Sequence, residues 1–276
     1  MDHEISLRLG AFVGFFCMFA AWETWAPRST MATPRAKRWL SNLGIVIINS
    51  AAVRIVFPLA AVGLAAMADQ RGWGLLHQFV LTDYVAVIVA LLLLDLAIYL
   101  QHVMFHAVPL FWRLHMVHHS DMDFDVTTGV RFHPVEILLS MLIKFSVIML
   151  TGPPVLAVLV FEITLNATSL FNHSNVRLPR ALDRYLRRII VTPDMHRIHH
   201  SVVKNETNSN FGFNLPWWDR LFGTYRNQPA SGQDHITIGL QQFRDPARLS
   251  LPWLLILPFI STTGGYAINH RGDDNK

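Results

Sequence analysis

The sequence predicts an all-α integral membrane protein with about four transmembrane helices. Hydrophobic residues make up 52% of its 276 residues and charged residues only 15%, against about 25% charged in soluble domains. Apolar runs that approach the ~20 residues needed to span a bilayer recur along the chain. Eight histidines also gather into three boxes: His102 and His106 as HxxxH, His115, His118 and His119 as HxxHH, and His196, His199 and His200 as HxxHH. Residues three and four apart share a helix face, so each box is expected to aim its rings at one point. Neutral imidazole is a common transition-metal ligand. A structural zinc takes four ligands and a catalytic one three plus water, so eight suit two metals side by side. The fold class is thus completed by a helical, histidine-rich di-metal domain on the cytosolic face. Single histidines such as His77 or His235 carry no such meaning.

Residues 9–25 form the first apolar run, closed by Trp22 and Trp25 in the manner of an interfacial aromatic belt. The run is slightly short for a span, so its helix is expected to begin earlier. Arg28, Arg35, Lys37 and Arg38 follow and, by the positive-inside rule, should face the cytoplasm. Residues 43–68 are the second span, interrupted by Arg54 and Pro58; Arg54 either snorkels or faces the bundle. A loop with Asp69, Arg71 and Gly72 turns the chain, and residues 79–100 are the third span. Pro109 separates it from the first HxxHH box. The alternating acids of DMDFD invite a calcium loop, but Val126 stands where glycine is needed and Phe132 where glutamate is needed. They are expected instead to form a polar loop beside the metals.

Residues 135–171 read as a helical hairpin broken at Thr151-Gly152-Pro153-Pro154. The crossings return the chain to the side of the basic loop, so all three boxes fall on one face, read as cytoplasmic. The stretch after His173 is polar enough to lie outside the bilayer, and in it Thr192, Pro193 and Asp194 make a good helix start. Residues 249–260 are apolar and short with two prolines, fitting an interfacial segment. No repeat or detached linker divides the chain, which reads as one membrane domain over 1–276 with histidine-rich regions at 102–133 and 173–248. A cleaved leader is not expected, because residues 9–25 lack a small-residue cleavage pattern.

Other features narrow the chemistry. The lone cysteine, Cys17, excludes an internal disulfide framework and a thiolate metal site. The net charge of +4 comes from basic residues scattered beside apolar segments, which fits membrane flanks better than nucleic acid. Asp95, Tyr99, His102 and His106 are spaced to share a helix face. An acid in an apolar run needs a partner, and carboxylates often hold the outer nitrogen of a metal-bound histidine. Asp95 is predicted in that role; the alternative is a buried acid paired with a hydroxyl or Arg54.

Ligand type alone leaves iron, copper, zinc and nickel open. The zinc-protease HExxH pattern needs a glutamate after its first histidine, where this chain has Arg197 and Met116. A transporter would place histidines near mid-membrane, whereas these lie at a span end and beyond. Redox-capable metals on nitrogen ligands in a membrane fit oxygen activation against an apolar substrate. The rival readings are a membrane metal-binding or transport protein and a zinc-dependent membrane hydrolase, both independent of oxygen.

The boxes, together with WRLHMVHHS, TTGVRFHPVE, NHSN, PDMHRIHHS and NFGFNLPWWDRLFGTY, resemble the fatty acid hydroxylase/sterol desaturase superfamily over about residues 90–225. The resemblance implies a membrane-bound non-haem di-iron oxygenase with two iron ions and O2 as co-substrate. It would hydroxylate or desaturate an unactivated C–H bond of a lipid or sterol-like substrate. The eight box histidines match the family's ligands, His173 resembles a further ligand, and His133 matches a recurring histidine that either binds metal or supports a ligand. Residues Trp217 to Thr224 resemble the closing motif and receive no catalytic step. The only His-Pro pair, His133-Pro134, is followed by Val135, so the haem-binding HPGG pattern is missing. The resemblance therefore implies external electrons from a separate donor: a reductase with a ferredoxin or cytochrome b5-type protein.

Overall fold

Long apolar runs satisfy their backbone groups internally by becoming helices. In the computed structural model, which describes residues 4–269, these are α1 (Glu4–Trp25), α2 (Arg35–Val56), α3 (Ala61–Gln70), α4 (Asp83–Ala107), α5 (Pro109–His119), α6 (Pro134–Thr151) and α7 (Val155–Asn172). The short helices α8 (Arg180–Leu186), α9 (Pro193–His199), α10 (Lys204–Thr207) and α11 (Trp217–Leu221) follow, and α12 (Leu251–Ile260) closes the described chain. No strand occurs among the described residues, only two isolated bridges.

Five segments are long and apolar enough to cross a bilayer: α1, the α2–α3 stretch, α4, α6 and α7. The sequence reading of about four spans compares with these five candidates, in which each arm of the hairpin is a full helix. An arm of 18 residues is about 27 Å long, close to the hydrocarbon thickness. The first helix begins earlier than residue 9, as expected. The second breaks at Phe57–Ala60, where Pro58 removes a backbone donor, and α3 resumes beyond it.

The turns set the two ends of the bundle. Gly152 ends α6 at φ 61°, and Gly74, before α4, has φ 104°; these are conformations that favour glycine. A Cβ on Gly74 would lie 2.1 Å from the Gly152 nitrogen, so the two turns touch at one end. The opposite end gathers Trp25, the starts of α2 and α6, and the ends of α4 and α7. There Pro27 bridges Val176, and Arg28 pairs with Asp194 at 3.0 Å. The basic loop and the histidine boxes therefore share one end.

That end is tied by buried ion pairs. Arg38 holds Asp121 at 2.8 Å and Asp125 at 2.7 Å, and Arg131 donates to the Val117 carbonyl, Asn42 and Ser120. Burial alone would raise the Asp121 carboxyl, but Arg38 and Arg131 overcome it and hold the group well below the usual range. The acids of DMDFD thus form a polar loop, as expected, with Arg38 as its anchor. Residues 249–260 do more than lie at an interface. Leu254 and Leu257 of α12 are buried with Ile45, Trp112 and Met116, covering the outer side of α5.

Candidate metal centre

Helix geometry sorts the histidines. Within α4 His102 and His106 are four apart, as are His115 and His119 in α5 and His196 and His200 at α9, so each pair shares a face. Adjacent residues diverge by about 100°, so His118 and His199 point away from their neighbours. The result is two clusters rather than three. His102, His106, His115, His119 and His199 form one; His118, His173, His196 and His200 form the other. Within each cluster the donor atoms lie within 4.8 Å of one another. The expectation that each box aims at a single point fails for both HxxHH boxes, which are split between clusters. The nine predicted ligands His102 to His200 are nonetheless all brought together, and none is more than 2% exposed.

Outer hydrogen bonds fix which nitrogen carries the proton. The Nδ1–H of His102 donates to the Phe211 carbonyl at 2.7 Å, and that of His199 to the Ser209 carbonyl at 2.8 Å. His106 Nδ1 donates to Asn208 Oδ1 at 3.0 Å, an oxygen left free because the Asn208 amide nitrogen donates to the Tyr266 carbonyl. His115 Nδ1 donates to Glu136 Oε1 at 2.6 Å. In all four rings Nε2 keeps a bare lone pair pointing inward. The Nε2 atoms of His102 and His115 face each other at 3.1 Å, and those of His106, His119 and His199 have no hydrogen-bond partner. Buried lone pairs so arranged repel one another unless a cation joins them. Two nitrogens each about 2.1 Å from one ion span such a gap.

In the second cluster one ring, His173, is held the same way. His173 Nδ1 donates to the Ser169 carbonyl at 2.7 Å, and its Nε2 lies 3.1 Å from those of His118 and His196. Burial pushes His115 and His173 down to about 3, and lowers His118, His119, His196, His199 and His200 well below the ordinary imidazole value. Neutral imidazole is the ligating form, and each cluster is therefore able to hold a metal ion.

Two predicted residues stand apart. Asp95 accepts from Asn214 at 2.7 Å and Trp218 Nε1 at 2.8 Å, and among the described residues no hydrogen bond joins it to a histidine. It anchors the 211–218 loop, whose Phe211 carbonyl then orients His102. His133 caps α6 by accepting from the Val135 N–H, and its Nε2 donates to the Leu255 carbonyl; both ring nitrogens are used outside the clusters. Sequence reading missed Glu136, the carboxylate that does hold a cluster histidine. Its signal was an acid opening an apolar helix three residues after His133.

An apolar cavity of about 650 Å³ ends at the first cluster. His102, His115, Glu136 and Phe132 line it, whereas no histidine of the second cluster does. Phe132 stacks on His118 with ring centroids 4.4 Å apart and planes 10° apart, separating the cavity from the second cluster.

A fatty acid hydroxylase family profile matches residues 87–224, the stretch that carries every cluster histidine. The chain belongs to the fatty acid hydroxylase family. It is 30% identical over 225 residues to an ornithine lipid hydroxylase of Rhizobium tropici, covering 78% of this chain and 64% of that one. Alkylglycerol monooxygenase of Xenopus tropicalis is 30% identical over 48% of this chain and 28% of its own length. Cholesterol 25-hydroxylase of Rattus norvegicus is 30% identical over 52% and 48%. This family member thus spans less than two thirds of these relatives' length. No solved structure matches it.

Proposed function

We propose that the protein is a membrane-bound di-iron oxygenase that hydroxylates, or desaturates, an unactivated C–H bond of a lipid using O2 and two external electrons. The observation that carries this reading is the set of locked imidazoles. Four outer hydrogen bonds turn the lone pairs of His102, His106, His115 and His199 inward, beside a second buried cluster and at the closed end of an apolar cavity. Among the described residues only nitrogen donors form the two clusters, and such a donor set admits iron. Family membership favours iron over the other metals.

His102, His106, His115, His119 and His199 would hold one iron, and His118, His173, His196 and His200 the other. The pair supplies reductive activation of O2, which no amino-acid side chain provides. The protein's own part is positional. Glu136 holds His115, and the Phe211 and Ser209 carbonyls hold His102 and His199, so the ligand set is organised before metal arrives. The apolar cavity walls exclude water and bring a substrate carbon toward the His102–His115 side. Electrons come from a separate donor protein, of ferredoxin or cytochrome b5 type with its reductase. The histidine end, which it shares with the basic loop, faces the cytoplasm.

The test is metal analysis of protein purified from iron-supplemented cells, followed by lipid oxidation with a reductase under 18O2. Two irons per chain and 18O in the product, or O2-dependent alkene formation, support the reading. A metal-loaded protein that forms its product without O2 overturns it in favour of a hydrolase.

A further inference from the structure

A second cavity, of about 590 Å³, lies at the histidine end and holds five arginines against three aspartates. Arg28 pairs with Asp194 at 3.0 Å and with Asp234 at 2.6 Å, and Arg177 reaches Asp234 at 3.9 Å. Arg187 pairs with Asp183. Arg180 and Arg184, four apart on α8, are exposed and form no ion pair among the described residues. The cavity rim thus carries uncompensated positive charge. Helix α8 belongs to none of the five membrane-length segments, and its exposed apolar residues Leu182 and Tyr185 do not line the cavity. The two arginines are therefore not the polar tips of a membrane span.

The cavity leads to the second cluster. Asp194, in its lining, precedes His196 by two residues, and Arg177 follows His173 by four. Between them lies buried Arg197, which donates to Ser29 at 3.3 Å, next in the chain to Arg28, and stands over the Phe124 ring at 5.6 Å. Phe124 in turn lies 5.5 Å from His173 and 5.1 Å from His200, centroid to centroid. Packed side chains thus connect the arginine rim to three ligands of one cluster. The apolar cavity approaches the other cluster, and Phe132 stands between it and His118. The two clusters are reached from different sides.

We propose that the Arg180–Arg184 rim is the docking surface of the electron donor, a protein that presents an acidic face around a one-electron centre. Opposite potentials steer such a partner and fix its orientation, and the second cluster is the one that receives its electrons. Each docking event oxidises the donor by one electron and reduces the iron pair by one. Two events supply the two electrons that, with two protons, accompany O2 in each turnover. The donor assignment rests on the oxygenase reading above.

The test measures binding of two soluble probes, a plant-type ferredoxin and the haem domain of cytochrome b5, to iron-loaded protein in neutral-lipid nanodiscs. The wild type is expected to bind at least one probe, more weakly as salt rises. Arg180→Glu with Arg184→Glu should weaken that binding about tenfold or more, whereas Arg180→Lys with Arg184→Lys should retain most of it. Iron content should be equal in all three proteins. Donor-driven lipid oxidation should fall with binding in the glutamate variant, while single-turnover oxidation after chemical reduction should not. A wild type that binds neither probe in a salt-dependent way overturns the docking surface, as does a glutamate variant that binds like the wild type. Loss of co-purified anionic phospholipid from the glutamate variant, with donor binding intact, assigns the arginines to lipid head groups and also overturns it. If the glutamate variant loses iron, the lysine variant decides: wild-type iron content with probe binding reduced to the level of the glutamate variant overturns the role of charge, and retained binding supports it. Charge-dependent donor binding by a protein that never oxidises a lipid would overturn the oxygenase reading alone. Donor-driven lipid oxidation unaffected by the glutamate pair would overturn the docking surface alone.

Discussion

Five cluster histidines, His102, His106, His115, His173 and His199, are held by a bond at the outer nitrogen, and substitutions of ligands and of their supports should separate accordingly. His199→Ala removes an inward lone pair from the first cluster, and His118→Ala one from the second. Each variant is expected to lose metal from its own cluster, measured by plasma emission, and to lose turnover by at least about 100-fold. Full activity in either would sink the two-metal assignment. Glu136→Gln can still accept from His115 Nδ1 but loses the carboxylate's charge. Metal affinity or turnover should then fall about 10–100-fold, as is typical when a partner of a ligating histidine is weakened. Asp95→Asn should behave differently, because Asp95 holds Asn214 and Trp218 rather than a ring nitrogen. It should lower thermal stability with metal stoichiometry retained, and loss of metal equal to that of Glu136→Gln would refute the distinction. The eight box histidines of the two clusters were legible in the sequence because residues three and four apart share a helix face, whereas His173 came only with the family resemblance. Their supports were not: a backbone carbonyl such as Phe211 has no residue signature, and Glu136 is 21 positions from His115.

Between elements, Gly129 lets the 128–130 turn press against α7. A Cβ there would lie 2.7 Å from the Ser169 carbonyl and 3.2 Å from His173 Nδ1, the two atoms of the bond that orients His173. Gly129→Ala should therefore weaken the second cluster selectively, seen as loss of about one metal per chain with the first site still filled. Unchanged stoichiometry would show that α7 yields without moving the ring. Burial of the cluster histidines, His115 on α5 and His173 at the end of α7 among them, also sets a pH dependence. A histidine whose folded value is depressed binds fewer protons folded than unfolded, so stability is unaffected above its ordinary value of 6.5 and falls as pH drops from there toward about 3. At pH 5.5 the loss is on the order of 1 kcal/mol for each of His115 and His173. The metal-free protein should melt at a lower temperature at pH 5.5 than at pH 7.5, and metal loading should shrink the difference. A melting temperature independent of pH in the metal-free protein would contradict neutral burial. Element boundaries were legible where composition changes sharply, as at Pro109 and at Gly152 with its prolines. Division of the HxxHH boxes between clusters was not, because it depends on how α4, α5 and α9 meet in space.

For the whole molecule, the decisive geometry is that the boxes and the basic loop lie at one end and the Gly74–Gly152 turns at the other. Arg28 and Arg38 looked like free positive charge flanking a span, yet both are buried in ion pairs that tie the N-terminal helices to the histidine loops. The proposed cytoplasmic orientation must then rest on the remaining charge at that end, where Lys37, Arg180, Arg184 and Arg188 are exposed. Cys17, the lone thiol, is exposed on α1 and would be replaced by alanine before labelling. A cysteine at Arg184, on the outer side of the histidine end, should then react with a membrane-impermeant maleimide only after cells are opened. One at Asp69, whose side chain is 56% exposed near the opposite turns, should react in intact cells. The reverse pattern would move the metal centre to the outer face and exclude a cytoplasmic ferredoxin or cytochrome b5-type donor. Labelling of both sites in intact cells would mean that the chain between them does not cross the bilayer an odd number of times.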